Sequence, residues 1–290
     1  MTIALDRGAL RATGPAATGA DTEADGFVAR RPLRRLGVGK TIPFARMLGV
    51  VLLLAVWGGG VAAGVFDERK LAAPWTVVRT AWDLLIDGAL LSNIAASLQR
   101  AGIGLAFGIV IGTGLALLSG LSRIGESLVD GPIQLKRAIP TLGLIPLMIL
   151  WLGIGETFKI VLITLGVIVT MYIQTHASLT TIDKRFVELS EVQGVSRATF
   201  IRQVVVPGSL PGFFLGLRLS VTGAWLALIV VESVNAIDGL GKMMSNAQNY
   251  GQADVILVGL AVYGIFGLAS DAAIRLLERK VLSWRRTIAN

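Results

Sequence analysis

Cysteine is missing from this chain, and histidine occurs once, at His176. Without thiols there is no disulfide framework, no thiolate metal site and no cysteine nucleophile. A lone histidine also argues against a histidine metal cluster or a histidine-based triad. Charge is scarce too: 16% of the 290 residues are Asp, Glu, Lys or Arg, where a soluble domain carries about a quarter. That is too little to cover a water-facing surface.

What the chain has instead is apolar. Hydrophobic residues make up 53% of it and the mean hydropathy is +0.70. Its 35 glycines suit helices packed closely in lipid, where small residues let backbones approach. The composition implies an all-α polytopic membrane protein. The formal charge of +8 could suggest a nucleic-acid partner, but the distribution of the basic residues points to membrane topology and not to nucleic acid.

Long apolar runs predict six transmembrane helices, at about 47–66, 94–121, 138–155, 157–178, 213–232 and 254–275, each to be judged against the roughly twenty residues a span needs. The last two rest on shorter uncharged runs. The tail before them, 1–46, is polar and then basic, and reads as a disordered cytoplasmic segment. Residues 47–276 are expected to form the membrane domain and 277–290 a second basic tail. The first run is too far from the N-terminus for an ordinary signal peptide and reads as an uncleaved span. Between the first two runs, Trp75, Val78, Trp82 and Leu85 recur at helical spacing after Pro74, as in a helix lying at the bilayer surface.

Of the 27 lysines and arginines, only Arg69, Lys70, Arg79, Arg100, Lys159 and Lys242 fall on one side of this arrangement. The positive-inside rule therefore predicts that both termini and the loop after the fourth span are cytoplasmic. Gly39-Lys40-Thr41 imitates the end of a phosphate-binding loop, but Arg34 stands where the motif needs its first glycine, and no apolar strand precedes it. Nucleotide binding in this chain is not expected.

Three features carry functional expectation. Gly104, Gly108 and Gly112 share one helix face, for close packing or for dimerisation. Pro140 and Pro146 interrupt the third run, which suits either a packing kink or a helix lining a pathway. Glu232, near the outer end of the fifth span, is an ionisable group in the membrane and so a candidate for a structural or gating role. Arg218 reads as an interfacial arginine that snorkels to water, and His176 as interfacial and inert.

The polar excursion 183–212 is the most informative stretch. Asp183 can cap a short helix that Gly194 ends in a left-handed turn. Ser196 can cap a second helix, and Pro207-Gly208 is expected to stop it. The outcome would be two short helices around a glycine elbow. Glu188, Gly194 six residues on, and Val206-Pro207 after a second helix resemble the EAA loop of bacterial ABC-importer permeases, with Leu189-Ser190 and Val206 departing from the family's usual flanking residues. The stretches around RAIPTLGLIPLMILWLGIGE and WLALIVVESVNAIDGLGK are similar to the nitrate/sulfonate/bicarbonate (taurine) branch, nearest the aliphatic-sulfonate permeases.

That resemblance implies a type I permease fold in a bacterial cytoplasmic membrane and ATP-driven import of a small organic anion by alternating access. It implies that Glu188, Gly194, Val195, Ser196 and Pro207 couple to separate ATP-binding cassette subunits, which would hold ATP and Mg. It also implies an extracytoplasmic solute-binding protein and a second permease copy as a homodimer. No cofactor and no catalytic residue is expected in this chain. The substrate stays open among aliphatic sulfonate, taurine, nitrate, bicarbonate and vitamin precursors. The rival of another class is an ion-coupled secondary transporter, whose mark would be buried carboxylates in several spans; Glu232 alone fits. A scaffold without transport would leave the docking loop and the proline-bearing span unexplained.

Overall fold

The computed structural model describes residues 45–284, with side chains from Leu48 onward. The tail predicted as disordered lies, up to residue 44, outside the described residues, as do the last six residues. Regular structure among the described residues is helical throughout: α1 (Ala45–Ala62), α2 (Pro74–Ile86), α3 (Ala89–Leu121), α4 (Arg123–Ala138), a 3-10 turn (Thr141–Leu144), α5 (Ile145–Leu152), α6 (Glu156–Thr180), α7 (Lys184–Val192), α8 (Arg197–Phe200), a π turn (Ile201–Val205), α9 (Val206–Asn235), α10 (Leu240–Asn249) and α11 (Ala253–Val281).

Three long helices make the centre, and small residues let them approach. On α3 a side chain at Gly104 would lie 2.7 Å from Ile163 of α6, one at Gly108 would overlap Val167, and one at Gly112 would come 2.7 Å from the Ile168 carbonyl. The glycine stripe therefore serves α3–α6 packing inside the chain, the first of the two readings it allowed. On the other side of α6, a side chain at Gly216 of α9 would meet Gln174 at 3.2 Å and Met171 at 3.3 Å. Ile163, Val167, Met171, Ala224, Trp225 and Leu228 then close into one core with Tyr263 of α11. Trp225 stacks on Phe266 at 5.4 Å. Helix α2 joins this bundle through Val77 and through Thr80 Oγ1, which donates to Asp254 at 2.7 Å. Its residues Trp75, Val78 and Trp82 stay uncovered.

Two expectations are redrawn by proline. The single span expected over 138–155 is instead a broken pair, α4 and the 3-10 turn with α5, meeting at 89°. Pro140 disfavours helical backbone in the residue before it, and Ile139 is accordingly extended, at φ −93° and ψ 120°. Pro146 sits in the first turn of α5, where its missing N–H costs nothing. The second correction is at Pro207, which does not stop the loop's second helix. Residues Arg197–Asn235 run as one helix of 39 residues, because the π turn at Ile201–Val205 widens the backbone just where the proline ring would clash with the preceding turn. Among the described residues four helices have the length and apolarity to cross a membrane, and the bent pair counts as a fifth. The apolar part of α1, Leu48–Ala62, is shorter than the expected first span.

Candidate functional site

Three places hold the residues singled out by sequence: the α7–α8 elbow, a cavity at mid-helix depth, and a buried ionic cluster at the far end of α9.

The elbow is built by local backbone chemistry. Asp183 accepts from the Arg185 N–H at 2.9 Å and starts α7. Gly194 has φ +62°, the left-handed conformation that a Cβ disfavours, and its N–H bonds the Glu191 carbonyl. Ser196 accepts from the Thr199 N–H at 3.3 Å and starts α8. Helix α7 buries no residue. Glu188, Gly194, Val195 and Ser196 are exposed, and Pro207 is half-buried where the elbow's second arm enters α9. The structure therefore leaves four of the five expected coupling residues exposed, Glu188 on α7 and Gly194, Val195 and Ser196 on the turn. Their side chains make no hydrogen bond that a partner would have to break, except the Ser196 cap. The elbow's arms differ in support: α7 is short and separate, whereas α8 is the tip of the long α9 helix.

The cavity, about 360 Å³, lies between the Pro140–Leu142 stretch, α6 and α9. Pro140 lines it; Pro146 does not and instead opens α5. A backbone break at membrane depth is tolerated where it lines such a cavity. Pro140 thus lines a cavity, and Pro146 acts as a helix starter.

At the end of α9, Glu232 is 0% exposed. Its carboxylate accepts from Ser97 Oγ at 2.8 and 2.9 Å, from Arg100 Nη1 at 2.8 Å, from the Gly241 N–H at 2.8 Å and from Tyr263 at 3.3 Å. Arg100 in turn spreads its fork over Glu156 and Asp238 and donates to the Asp238 carbonyl at 2.8 Å. Lys159 donates to Glu156 at 2.7 Å. Gly239 has φ +115°, and a side chain there would fall on the Glu232 carboxylate. Three carboxylates and two cations from α3, α6, α9 and the link to α10 are therefore held together, with Glu232, Arg100 and Lys159 buried and Glu156 and Asp238 open to solvent. Each oxygen of the Glu232 carboxylate thus faces at least two donors.

Sequence reasoning found Glu232 but missed Arg100, Ser97, Glu156, Lys159, Asp238 and Tyr263. One signal was present: Arg100 is a charge within an apolar run, which marks a functional or paired group by default. Arg218 Nη2 donates to Glu278 of α11 at 2.6 Å, and its Nε lies 3.3 Å from Asp271. His176 stacks on Tyr172 at 5.3 Å.

The family model described as "Binding-protein-dependent transport system inner membrane component" matches residues 104–283. The chain is 39% identical over 245 residues to the putative aliphatic sulfonates transport permease protein SsuC of Escherichia coli, covering 84% of this chain and 92% of that protein. It is 30% identical to the taurine transport system permease protein TauC of Escherichia coli, over 81% of this chain and 87% of the relative. Among solved structures, an amino acid ABC transporter superposes with a TM-score of 0.56 at 15% identity, over 83% of this chain and 100% of that one. An inward-facing MetNI methionine ABC transporter gives 0.51 at 21% identity, over 70% and 96% of the two chains. These structural likenesses speak to the fold.

Proposed function

Because this chain belongs to the family of binding-protein-dependent transport system inner membrane components, we propose that it is the membrane-spanning permease of an ATP-driven importer for aliphatic sulfonates. The observation that carries the substrate is the 39% identity over 84% of the chain to a putative aliphatic sulfonates transport permease, against 30% to a taurine permease. Permeases of this family act as transport subunits and not as enzymes.

The chemistry of ATP, with its Mg, then belongs to separate ATP-binding cassette subunits. The exposed elbow around Gly194, with Glu188, Val195, Ser196 and Pro207, is the surface on which such a subunit pushes. Because α8 and α9 are one helix, force applied at Ser196 enters the bundle along α9 and reaches Glu232 at its other end. Moving a two-state membrane domain from 1:99 to 99:1 takes roughly 5.5 kcal/mol of differential binding, and closure of the ATPases on ATP is the source we assign. An extracytoplasmic binding protein delivers the substrate. A second copy of the chain completes the pathway, with both termini and the elbow in the cytoplasm. Glu232 acts as an outer tether that keeps α3, α6 and α9 in register, and Pro140 as part of the pathway wall.

Growth of a deletion strain on single sulfur sources tests the substrate. Loss of growth on alkanesulfonates alone is the expected result; loss on taurine alone would redirect the assignment, and growth on both would remove it. Co-purification of an ATPase subunit with the tagged chain tests the importer reading independently.

A further inference from the structure

We propose that the mid-helix cavity is a transit site for the anionic group of the substrate, with Lys136 as its counter-charge and Ser220 and Thr141 as its hydrogen-bonding wall. This rests on the importer reading above and supplies what that reading lacks: residues that meet the cargo.

Depth comes first. Gly166, on the cavity wall, is ten residues into α6. At 1.5 Å per residue that is about 15 Å from the helix start, half of a hydrocarbon core of about 30 Å. Ser220 is close to the middle of α9. A volume of about 360 Å³ falls at the small end of ligand pockets, suited to a compact anion.

The polar groups are then unusual in being unspent. Ser220 is 2% exposed, lines the cavity, and its hydroxyl has no partner. A buried hydroxyl in a helix ordinarily bonds the carbonyl one turn back, as Thr170 on the same wall does with Gly166 at 3.1 Å. Lys136, in the last turn of α4, directs its ammonium to Thr141 Oγ1 at 2.5 Å, and Thr141 lines the cavity. None of the ion pairs among the described residues includes Lys136. An ammonium has three donors, and one is engaged. Its position is fixed by the break at Pro140, which turns the chain so that the end of α4 backs onto the cavity wall.

Other cations in the bundle are not free for an anion. Arg100 and Lys159 are held by carboxylates that outnumber them, and Arg218 by Glu278 and Asp271. An anion crossing the bilayer midplane needs a counter-charge that is near and uncommitted. Lys136 is uncommitted and reaches the cavity wall through Thr141.

The absence of cysteine makes a direct test possible. Ser220→Cys carries the only thiol of the permease and replaces one small side chain by another. In the assembled importer in proteoliposomes, the introduced thiol is reacted with a sulfonate-bearing methanethiosulfonate reagent and, separately, with a neutral one of the same size. With Lys136 present, the anionic-to-neutral rate ratio should exceed that in a Lys136→Gln background by about tenfold, as expected of a focused positive charge in a low-dielectric cleft. Lys136→Arg should keep the ratio, and an added alkanesulfonate should slow both reactions. Should Lys136→Gln fail to insert, Thr141→Val removes only the hydroxyl that holds Lys136 and should lower the ratio in the same direction.

An unchanged ratio in these backgrounds, or a thiol that neither reagent reaches, overturns the transit site. A lysine that served only the end of α4 would alter stability and leave the ratio alone. The reagent carries its own sulfonate, so the ratio reads charge selection even if growth assays assign another anion. An unchanged ratio alongside intact sulfonate uptake would sink this inference and leave the importer reading standing.

Discussion

The two ends of the polypeptide path through α9 are opposites. At the elbow, α7 buries nothing and four of the five expected coupling residues lie on the surface. At the far end, Glu232 is completely buried and its carboxylate is met by donors from three other helices. One end lies open to water and the other is closed to it. A segment held by few buried contacts opens at low free-energy cost, whereas breaking a buried charge cluster leaves uncompensated charge. The contrast predicts that substitutions at the outer cluster act first on stability, and substitutions at the elbow act first on function.

The largest effect should come from Arg100→Ala. It strands Glu232 without its cation in a site closed to solvent, and removal of one partner of a buried pair costs about 3–5 kcal/mol. A fall in thermal stability of the detergent-solubilised protein, and in the amount retained in membranes, would follow. Wild-type stability would show that the cluster is wet and would erase the contrast.

Glu232→Gln is the sharper version. Shape is kept, and the amide oxygen can still accept from Ser97 or Gly241, but the charge opposite Arg100 is lost and the amide N–H₂ faces donors. A cost of about 1–3 kcal/mol is expected for the mismatched buried group, with slowed uptake if the cluster must part and re-form in each cycle. Reduced stability with an unchanged transport rate would make Glu232 a structural tether and not a gate.

Gly194→Asp moves to the other end. A side chain at φ +62° costs about 1 kcal/mol, and the space around it is open, so membrane levels should hold. Uptake should nevertheless collapse while ATP hydrolysis by the partner subunits continues, because the added carboxylate occupies the docking turn. Normal uptake in this variant would remove the elbow from the coupling mechanism.

The same contrast explains what the sequence disclosed. The elbow was legible because its determinants are local: Asp183, Gly194 and Ser196 each act on backbone within three residues of themselves, so spacing alone placed both caps and the left-handed turn. The outer cluster was not, because Ser97, Arg100, Glu156 and Glu232 lie on three helices and meet only once these pack, and no periodicity encodes such a meeting. Proline was legible in position but not in consequence. Pro140 did not merely kink its span but broke it at 89°, and Pro207 did not break its helix, since the π turn before it rearranged the backbone bonds. The glycine stripe on α3 was visible as a face, and only the structure decided which helix it meets.

The smallest effect tests the local side of the comparison most directly. Asp183→Ala removes the carboxylate that accepts from the Arg185 N–H at 2.9 Å and leaves every long-range contact in place. Loss of an exposed N-cap costs about 0.5 kcal/mol, which is within the error of most melting measurements on a membrane protein. Hydrogen exchange is the better readout: the amides of α7 alone should exchange about twofold faster, since a cap of that size raises local opening without touching the bundle. If amides near Glu232 accelerated as well, the elbow and the outer cluster would be coupled already at rest, and the long α9 helix would be transmitting strain before any partner had docked.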